Sequence, residues 1–319
     1  MKWNNRAIEM SFAWIFSIVV GAVILFIAIY FASQLIETES YRVNTETAKQ
    51  FSALLDPLQT TVEEASTSKI SVSIDTRIYA ECDLFGEFGN TKLQISEKFG
   101  MKDKWSERGG DISKQNSYLF AEDMIEGKTF YPFVKPFNTP FKTADMIMLY
   151  SKPYCFVNSP EQIKQEIDSL GKDRNLIAVE SKESCSDSSV IVCFDAGETG
   201  CDIEVSYESG IIRKNNRKDE LYFTSDLIYP AIFSSKENYE CGVNRLMIRL
   251  EHLSLIYSKK AQLMAGRCNT GMQADMLELA NQAKSYSQEQ DFNLNKLKLI
   301  QELAEDIKTK NGEIGCQLF

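Results

Sequence analysis

The feature that most constrains this chain is the run of residues 10–36, which contains no Asp, Glu, Lys or Arg. Its interior consists almost entirely of Ile, Val, Leu, Phe and Ala. As a helix the run would extend about 40 Å, more than the roughly 30 Å hydrocarbon core of a bilayer. Core helices of water-soluble proteins rarely run this far without a charge, so the sequence predicts a transmembrane helix over residues 10–36.

A cleaved secretory signal is the alternative interpretation of this run. Its apolar region is normally about 7 to 15 residues long and ends at a small-x-small site. Here Tyr30 and Phe31 stand where small residues are needed, and Trp14 and Tyr30 suit anchoring at the two membrane interfaces. We therefore expect an uncleaved signal anchor, preceded by a short N-terminal stub over residues 1–9.

The cysteines decide the expected orientation, because the flanking charges do not. Lys2 and Arg6 precede the run while Arg42 and Lys49 follow it, which is a tie under the positive-inside rule. All 8 cysteines follow the run, and an even number is typical of disulfides in an oxidising compartment. We expect a single-pass protein of the cell membrane with a cytoplasmic N-terminus and an extracytoplasmic main domain. Reduced cysteines in a cytosolic domain are the alternative.

One disulfide can be predicted with a mechanism. Residues 190–194 and 201–207 have strand patterns, and the turn residues between them predict an antiparallel hairpin. Opposed residues at a non-hydrogen-bonded site of such a ladder have Cα atoms about 4.5 Å apart, within disulfide range. Cys193 and Cys201 flank the turn and form the candidate pair, while the pairing of the other cysteines stays open.

The transmembrane helix is expected to continue outward. Neither Gly nor Pro occurs between Gly21 and Pro57, which predicts one rod of roughly 45 residues. Residues 37–66 form its membrane-proximal amphipathic part, with an apolar stripe of Ala48, Phe51, Leu55, Leu58 and Val62. We expect this stripe to pack on the chain's own C-terminal helices. Homo-oligomerisation is the alternative.

The remaining patterns predict an α+β fold. Residues 67–236 form a mixed, disulfide-stabilised sheet domain. In it, a strand at residues 146–150, a helix that ends at Gly171 and a strand at residues 176–179 indicate a βαβ-like unit, and Asn215-Asn216 a later hairpin. Three helical stripes predict that residues 237–319, the C-terminal third, are helices.

No sequence pattern predicts a catalytic, cofactor or metal site. Glycine-rich phosphate loops, nucleophile elbows and zinc motifs are absent from the sequence, and the acidic residues at 195–204 lack EF-hand spacing. The one histidine, His252, lies between two leucines on a helix and is interpreted as a packing residue. A net charge of −10 argues against nucleic acid as a partner.

One segment is unusual enough to be a candidate partner patch. It interleaves five aromatic residues with prolines, which stiffen an extended backbone. An exposed patch of this kind would mark a protein partner site, whereas a loop pressed over the domain's own core is the alternative. The residues are Phe130, Tyr131, Phe133, Phe137 and Phe141.

The first 60 or so residues, apolar and then amphipathic, followed by a disulfide-containing domain, resemble type IV pilin-like proteins. The resemblance implies a filament subunit whose short leader is removed. Pilin-like leaders have Gly or Ala before the cut and a glutamate at the fifth mature position. If Glu9 is that glutamate, Asn4 precedes the cut, and the helical C-terminal third also departs from the usual pilin head.

These observations predict a membrane-anchored extracytoplasmic protein of the cell envelope with an interaction or structural role. Its expected partners are the lipid bilayer and a protein, or a second copy, that contacts the rod or the C-terminal helices. The alternatives are an envelope-bound hydrolase that uses carboxylates and a pilin-like filament subunit. The sequence favours a non-enzymatic role without deciding it, because nothing singles out a pair among 45 acidic residues.

Overall fold

The computed structural model describes residues 12–56, 69–99, 104–171, 174–194, 200–265, 271–288 and 292–319. Its helices are α1 (Phe12–Leu55), α2 (Glu161–Ser169), α3 (Ile228–Phe233), α4 (Lys236–Met264), α5 (Gln273–Gln288) and α6 (Leu294–Glu313). Its strands are β1 (Ile70–Asp83), β2 (Asn90–Phe99), β3 (Lys104–Trp105), β4 (Ile112–Lys114), β5 (Tyr118–Phe120), β6 (Met124–Asn138), β7 (Lys142–Tyr150), β8 (Tyr154–Val157), β9 (Leu176–Val179), β10 (Val190–Cys193), β11 (Ile203–Ser206), β12 (Ile211–Lys214) and β13 (Asp219–Tyr222).

Helix α1 is one unbroken helix of 44 residues with two different surfaces. Residues 12–39 are exposed on every side, and from Asn44 onward one side of the helix becomes buried. The continuous rod is as predicted, because no Gly or Pro after Gly21 interrupts the hydrogen-bond ladder. Leu58 and Val62 of the predicted stripe lie outside the described residues.

The buried stripe of α1 packs on the first sheet, so the expected packing on the C-terminal helices is wrong. This sheet has the order β3-β2-β1-β6-β7-β5, and β4 pairs with β2. Ala48, Phe51 and Leu55 join a cluster with Ile78 of β1 and Ile95 of β2. Alternation places these strand residues on one face of the sheet, which α1 covers.

The second sheet has the order β13-β12-β11-β10-β8-β9. The hairpin of β12 and β13 at Asn215-Asn216 is confirmed. Its four-residue turn, residues 215–218, begins with these two asparagines at positive φ, a conformation that Asn adopts more readily than most residues. The helical crossover unit is β8-α2-β9, with parallel strands. The prediction that residues 146–150 open this unit is wrong, because that strand, β7, pairs with β6 in the first sheet.

The predicted antiparallel hairpin around residues 195–200 is also wrong. Strands β10 and β11 are parallel, with Val192 opposite Ile203 and Cys193 opposite Glu204. Parallel pairing excludes the two-stranded hairpin that the turn residues predicted. Residues 195–199 lie outside the described residues.

A second, larger core lies between the second sheet, the other face of the first sheet and the C-terminal helices. Its centre is aromatic: the rings of Tyr150 and Tyr154 lie 4.7 and 4.6 Å from that of Phe233. From Lys236 onward, the described part of the chain is helical except for its loops and last residues, as the apolar stripes predicted.

Three disulfides join described residues, in agreement with the expected disulfide-stabilised domain. Cys82 of β1 is bonded to Cys241 of α4, which ties the C-terminal helices to the first sheet. Cys155–Cys185 and Cys193–Cys201 lie on the outer face of the second sheet, where they form a small cluster with Val157. Cys268 lies outside the described residues.

Two residues of α1, about one turn apart, test whether the helix packs on the first sheet through the observed side. Phe51 is 3% exposed, and its ring meets that of Phe130 edge to face at 5.6 Å, whereas Leu54 is 57% exposed. We expect Phe51→Ala to lower the free energy of unfolding by about 3–5 kcal/mol, because it leaves a cavity. The control Leu54→Ala should change it by less than about 0.5 kcal/mol. Denaturant titration of the detergent-solubilised full chain measures both, and equal effects would contradict the observed packing.

Candidate functional site

The most distinctive surface of the molecule is the first half of α1. Large apolar side chains project from all sides of this segment; for example, Phe26 is 71% exposed and Leu35 is 70% exposed. This segment is part of α1. Among the described residues, α1 is the one helix that is long and apolar enough to cross a membrane. Exposing apolar surface to water is unfavourable by about 25 cal/mol per Å², so an apolar environment would stabilise this segment.

A polar junction joins α1 to the sheet where the exposed segment ends. The buried Asn44 side chain donates from Nδ2 to Ser106 Oγ at 2.8 Å and to the Glu107 carbonyl at 2.6 Å. The Gly110 amide donates to Thr45 Oγ1 at 2.7 Å. These hydrogen bonds fix both the rotation and the height of the helix against the sheet.

Gly109 makes this close approach possible. A Cβ atom at this position would lie 2.6 Å from the backbone nitrogen of Thr45, so any side chain would push the loop off the helix. Farther along α1, Lys114 of β4 donates to the Ser52 carbonyl at 3.2 Å and pairs with Asp56. The helix is therefore attached at both ends of its packed segment.

A cleft of about 600 Å³ opens between the two sheets. Apolar side chains, including Tyr150, Tyr154 and Phe233, form part of its wall. Its lining also includes the carboxylates of Glu122, Glu126 and Asp202 and the ammonium group of Lys214. Concave surfaces with an aromatic wall and a few polar groups are the usual form of ligand sites.

The three carboxylates of the cleft already have partners. Glu126 binds Arg77 at 2.8 Å, the Asp202 carboxylate accepts the amide of Ile191 at 2.8 Å, and Glu122 lies 3.4 Å from Lys214 Nζ. A hydrolase acid needs a carboxyl group held in an apolar setting, opposite a second one. The contacts of Glu126, Asp202 and Glu122 instead resemble polar interactions that hold neighbouring strands together.

Lys214 is the most deeply buried charged group of the cleft. Its Nζ donates to the Ile232 carbonyl at 2.7 Å and to the Ser234 carbonyl, so it connects β12 to the end of α3. Burial lowers the pKa of Lys214, and the nearby Glu122 opposes that shift. Its hydrogen bonds to backbone carbonyls indicate a structural role.

Arg245 of α4 fastens the C-terminal helices to the first sheet. It is 1% exposed, and its guanidinium donates to Thr91 Oγ1 at 2.8 Å and to the carbonyls of Phe88 and Ser117 at 3.0 Å. Burial lowers the pKa of Arg245. Since the Cys82–Cys241 disulfide lies one turn before it on α4, this helix is held by a covalent and a polar attachment.

The candidate partner patch lies in the core. Phe130, Phe133, Phe137 and Phe141 are at most 6% exposed, and Tyr131 is half-buried. The segment through Asn138 is strand β6, which sends Phe130 toward α1 and Phe133 toward the other core, where it meets Tyr229 at 5.0 Å. These rings stabilise the two cores and do not form an exposed surface.

The other candidates of the sequence analysis do not converge on a site. His252 is half-exposed, with its ring 4.9 Å from Phe88 and Nε2 3.7 Å from Glu87. Cys193 and Cys201 are bonded, with sulfurs 1.99 Å apart, across the parallel β10–β11 connection. Among the described residues, no group of three or more His, Cys, Asp or Glu side chains could hold a metal ion. Asp195 and Glu198 fall outside those residues.

Comparison of the chain with protein-family models, with curated proteins and with solved structures finds no match. The functional argument therefore depends on the geometry of α1, its junction with the sheet and the inter-sheet cleft.

Buried tyrosines make the fold sensitive to alkali. Burial raises the pKa of six phenols, and each of them keeps its proton in the folded state above pH 10, where the unfolded chain loses it. Their stabilising contribution is complete below about pH 10 and is lost as the pH rises through the folded-state values. The six are Tyr118, Tyr150, Tyr154, Tyr229, Tyr239 and Tyr286.

Absorbance titration at the phenolate band tests this expectation. The denatured chain should ionise all 13 tyrosines near pH 10, whereas the folded chain should ionise a subset there and the rest together with unfolding. Tyr154→Phe should remove one phenol from the late phase only. Ionisation of every tyrosine near pH 10 with the circular dichroism unchanged would contradict the burial of these side chains.

Proposed function

We propose that this protein is a single-pass membrane protein of the cell envelope, anchored by residues 12–36, with a cytoplasmic N-terminus and a disulfide-bonded extracytoplasmic domain. The observation that carries the proposal is the change along α1: one continuous helix is exposed and apolar in its first half and packed on the sheet in its second. Such a helix suits a bilayer on one side and a folded domain on the other.

The disulfides support the extracytoplasmic side of the proposal. Disulfides persist in oxidising compartments and are rare where glutathione and thioredoxin keep thiols reduced. Cys82–Cys241 connects distant parts of the chain, 159 residues apart, and its loss would be expected to cost about 2–5 kcal/mol of stability. In the cytosol this bond would be expected to be reduced, and the domain would lose its stabilising effect.

An interaction or structural role fits the domain better than hydrolysis does, because the carboxylates of the cleft are already paired. The rod and the C-terminal helices are the proposed partner surfaces. On α4, Ile256 and Leu263 lie seven residues apart, hence on one side, and are 59% and 84% exposed.

A pilin-like filament subunit is the alternative. It predicts removal of the first residues, which intact-mass measurement of the native protein would detect.

Membrane integration is tested with a charged variant of α1. Val20→Arg, Ile24→Arg and Ile27→Arg together add about 8–10 kcal/mol to insertion, since each arginine near the helix centre costs about 3 kcal/mol. We expect this variant to be released by alkaline carbonate, while the control Val20→Leu, Ile24→Leu and Ile27→Leu stays in the membrane fraction. Equal extraction of the two would contradict the anchor.

Sidedness is tested in membrane vesicles of known orientation. Protease added outside should digest the sheet domain in right-side-out vesicles and leave it intact in inverted vesicles. Thiol labelling of the denatured, unreduced protein provides the second measurement, and the domain's cysteines should react only after reduction. Protection in right-side-out vesicles with freely reactive thiols would place the domain in the cytosol.

A further inference from the structure

Strand β9 lies at an edge of the second sheet, and within the described part of the chain it pairs with β8 alone. The amides of Tyr154 in β8 and of the residue that follows this strand donate to the carbonyls of Asn175 and Val179, at 2.8 and 3.0 Å. Because the backbone direction alternates along a strand, Leu176 and Ala178 point their amides and carbonyls away from β8. No described residue forms a hydrogen bond with these outward groups.

Strand β9 also lacks features that protect most edge strands, which are charged side chains, proline, a bulge or a covering element. The other edge of this sheet, β13, begins with Asp219 and Glu220. Its Tyr222 carbonyl also accepts a hydrogen bond from α4 at 2.5 Å. By contrast, β9 has the sequence Leu-Ile-Ala-Val, and Ile177 is 42% exposed. This edge therefore offers backbone hydrogen bonds and an apolar side chain to another extended strand.

The edge is complementary to a second copy of itself. If two copies of β9 pair antiparallel, Leu176 of each copy lies opposite Ala178 of the other, and every outward amide and carbonyl is used. Ile177 then lies at the two-fold axis, opposite its own counterpart, with the two Cα atoms about 4.5 Å apart. Contacts between β-branched residues at such positions stabilise a sheet.

The charges that flank β9 fit the same register. Arg174 and Glu180 lie at equal distances along the chain before and after Ile177. The two-fold axis therefore brings Arg174 of each copy near Glu180 of the other. The Glu180 side chain is 92% exposed and lies 3.8 Å from Lys164 of α2. A second copy necessarily supplies the matching charges, which an unrelated strand need not.

We propose that β9 pairs with β9 of a second copy, which joins the second sheets of the two molecules into one continuous sheet across a two-fold axis. The inference goes beyond the proposed function, because it concerns neither the rod nor the C-terminal helices and does not depend on the membrane anchor. One short strand pair is a small contact, so we expect a reversible dimer.

Sedimentation equilibrium of the full chain in density-matched detergent tests the proposal through position 177. We expect the unchanged chain to show a monomer–dimer equilibrium. Ile177→Lys and Ile177→Asp each place two like charges at the two-fold axis, so each should raise the dimer dissociation constant by about tenfold or more. An equal mixture of the two variants brings opposite charges together and should restore the dimer.

Ala178→Pro tests the backbone pairing separately. It removes an outward amide and leaves the hydrogen bonds to β8 in place, and proline is tolerated at such edge positions. We expect the dissociation constant to rise by about tenfold or more, because symmetry removes two hydrogen bonds. Leu277→Lys is the matched control, since Leu277 is 45% exposed and belongs to α5, and it should dimerise like the unchanged chain. Circular dichroism checks that every variant is folded.

Several results would overturn the β9 pairing. An unchanged chain that stays monomeric over the whole concentration range has no such contact. A dimer that persists in both position-177 variants or in Ala178→Pro forms through another surface. The proposal also fails if the mixture of Ile177→Lys and Ile177→Asp does not restore the dimer, or if Leu277→Lys abolishes it.

Discussion

Helix α1 has an apolar, exposed surface and a sheet-packed surface on one continuous backbone, and the rest of the structure depends on that continuity. Its second half buries Ala48, Phe51 and Leu55 against the first sheet, and Asn44 closes the junction with hydrogen bonds. Without this packing the apolar half would be joined to the domain through a free helix. With it, the sheet is rigidly attached to whatever surrounds residues 12–36.

The first sheet transmits that attachment to the rest of the molecule. One of its faces receives α1, and the other forms the large core with the second sheet and the C-terminal helices. Arg245 and the Cys82–Cys241 bond hold α4 against the strands. The paired carboxylates of the inter-sheet cleft, and Lys214 with its carbonyl partners, have the same structural character. These contacts hold the two sheets and the C-terminal helices together.

Local patterns predicted the parts of the fold that local physics determines. The apolar run and the absence of Gly and Pro predicted α1, the pair Asn215-Asn216 marked the β12–β13 hairpin, and helical stripes indicated the C-terminal region. Predictions that needed long-range pairing did worse. The stripe of α1 was apolar enough for any partner, so its contact with the sheet was not predictable. The parallel pairing of β10 with β11 is likewise not visible in the sequence, because the strand pattern fits either direction.

The candidate site residues were also hard to predict, because their surroundings depend on long-range pairing of the strands. An aromatic, proline-rich segment has the composition of an exposed patch and of a core strand alike, and only the sheet decides that Phe133 and Phe137 point inward. The inter-sheet cleft gave no sequence signal, because Glu122, Asp202 and Lys214 are far apart along the chain.

Hydrogen exchange of the α1 backbone, measured on the full chain in nanodiscs, tests the central claim most directly. A continuous helix from the bilayer to the sheet predicts that the amides of residues 37–56 all exchange slowly, by about a hundredfold or more relative to an unstructured chain. Protection of residues 44–56 alone, with residues 37–43 exchanging at the unstructured rate, would reveal a flexible linker. That result would contradict the rigid attachment of the domain to its anchor.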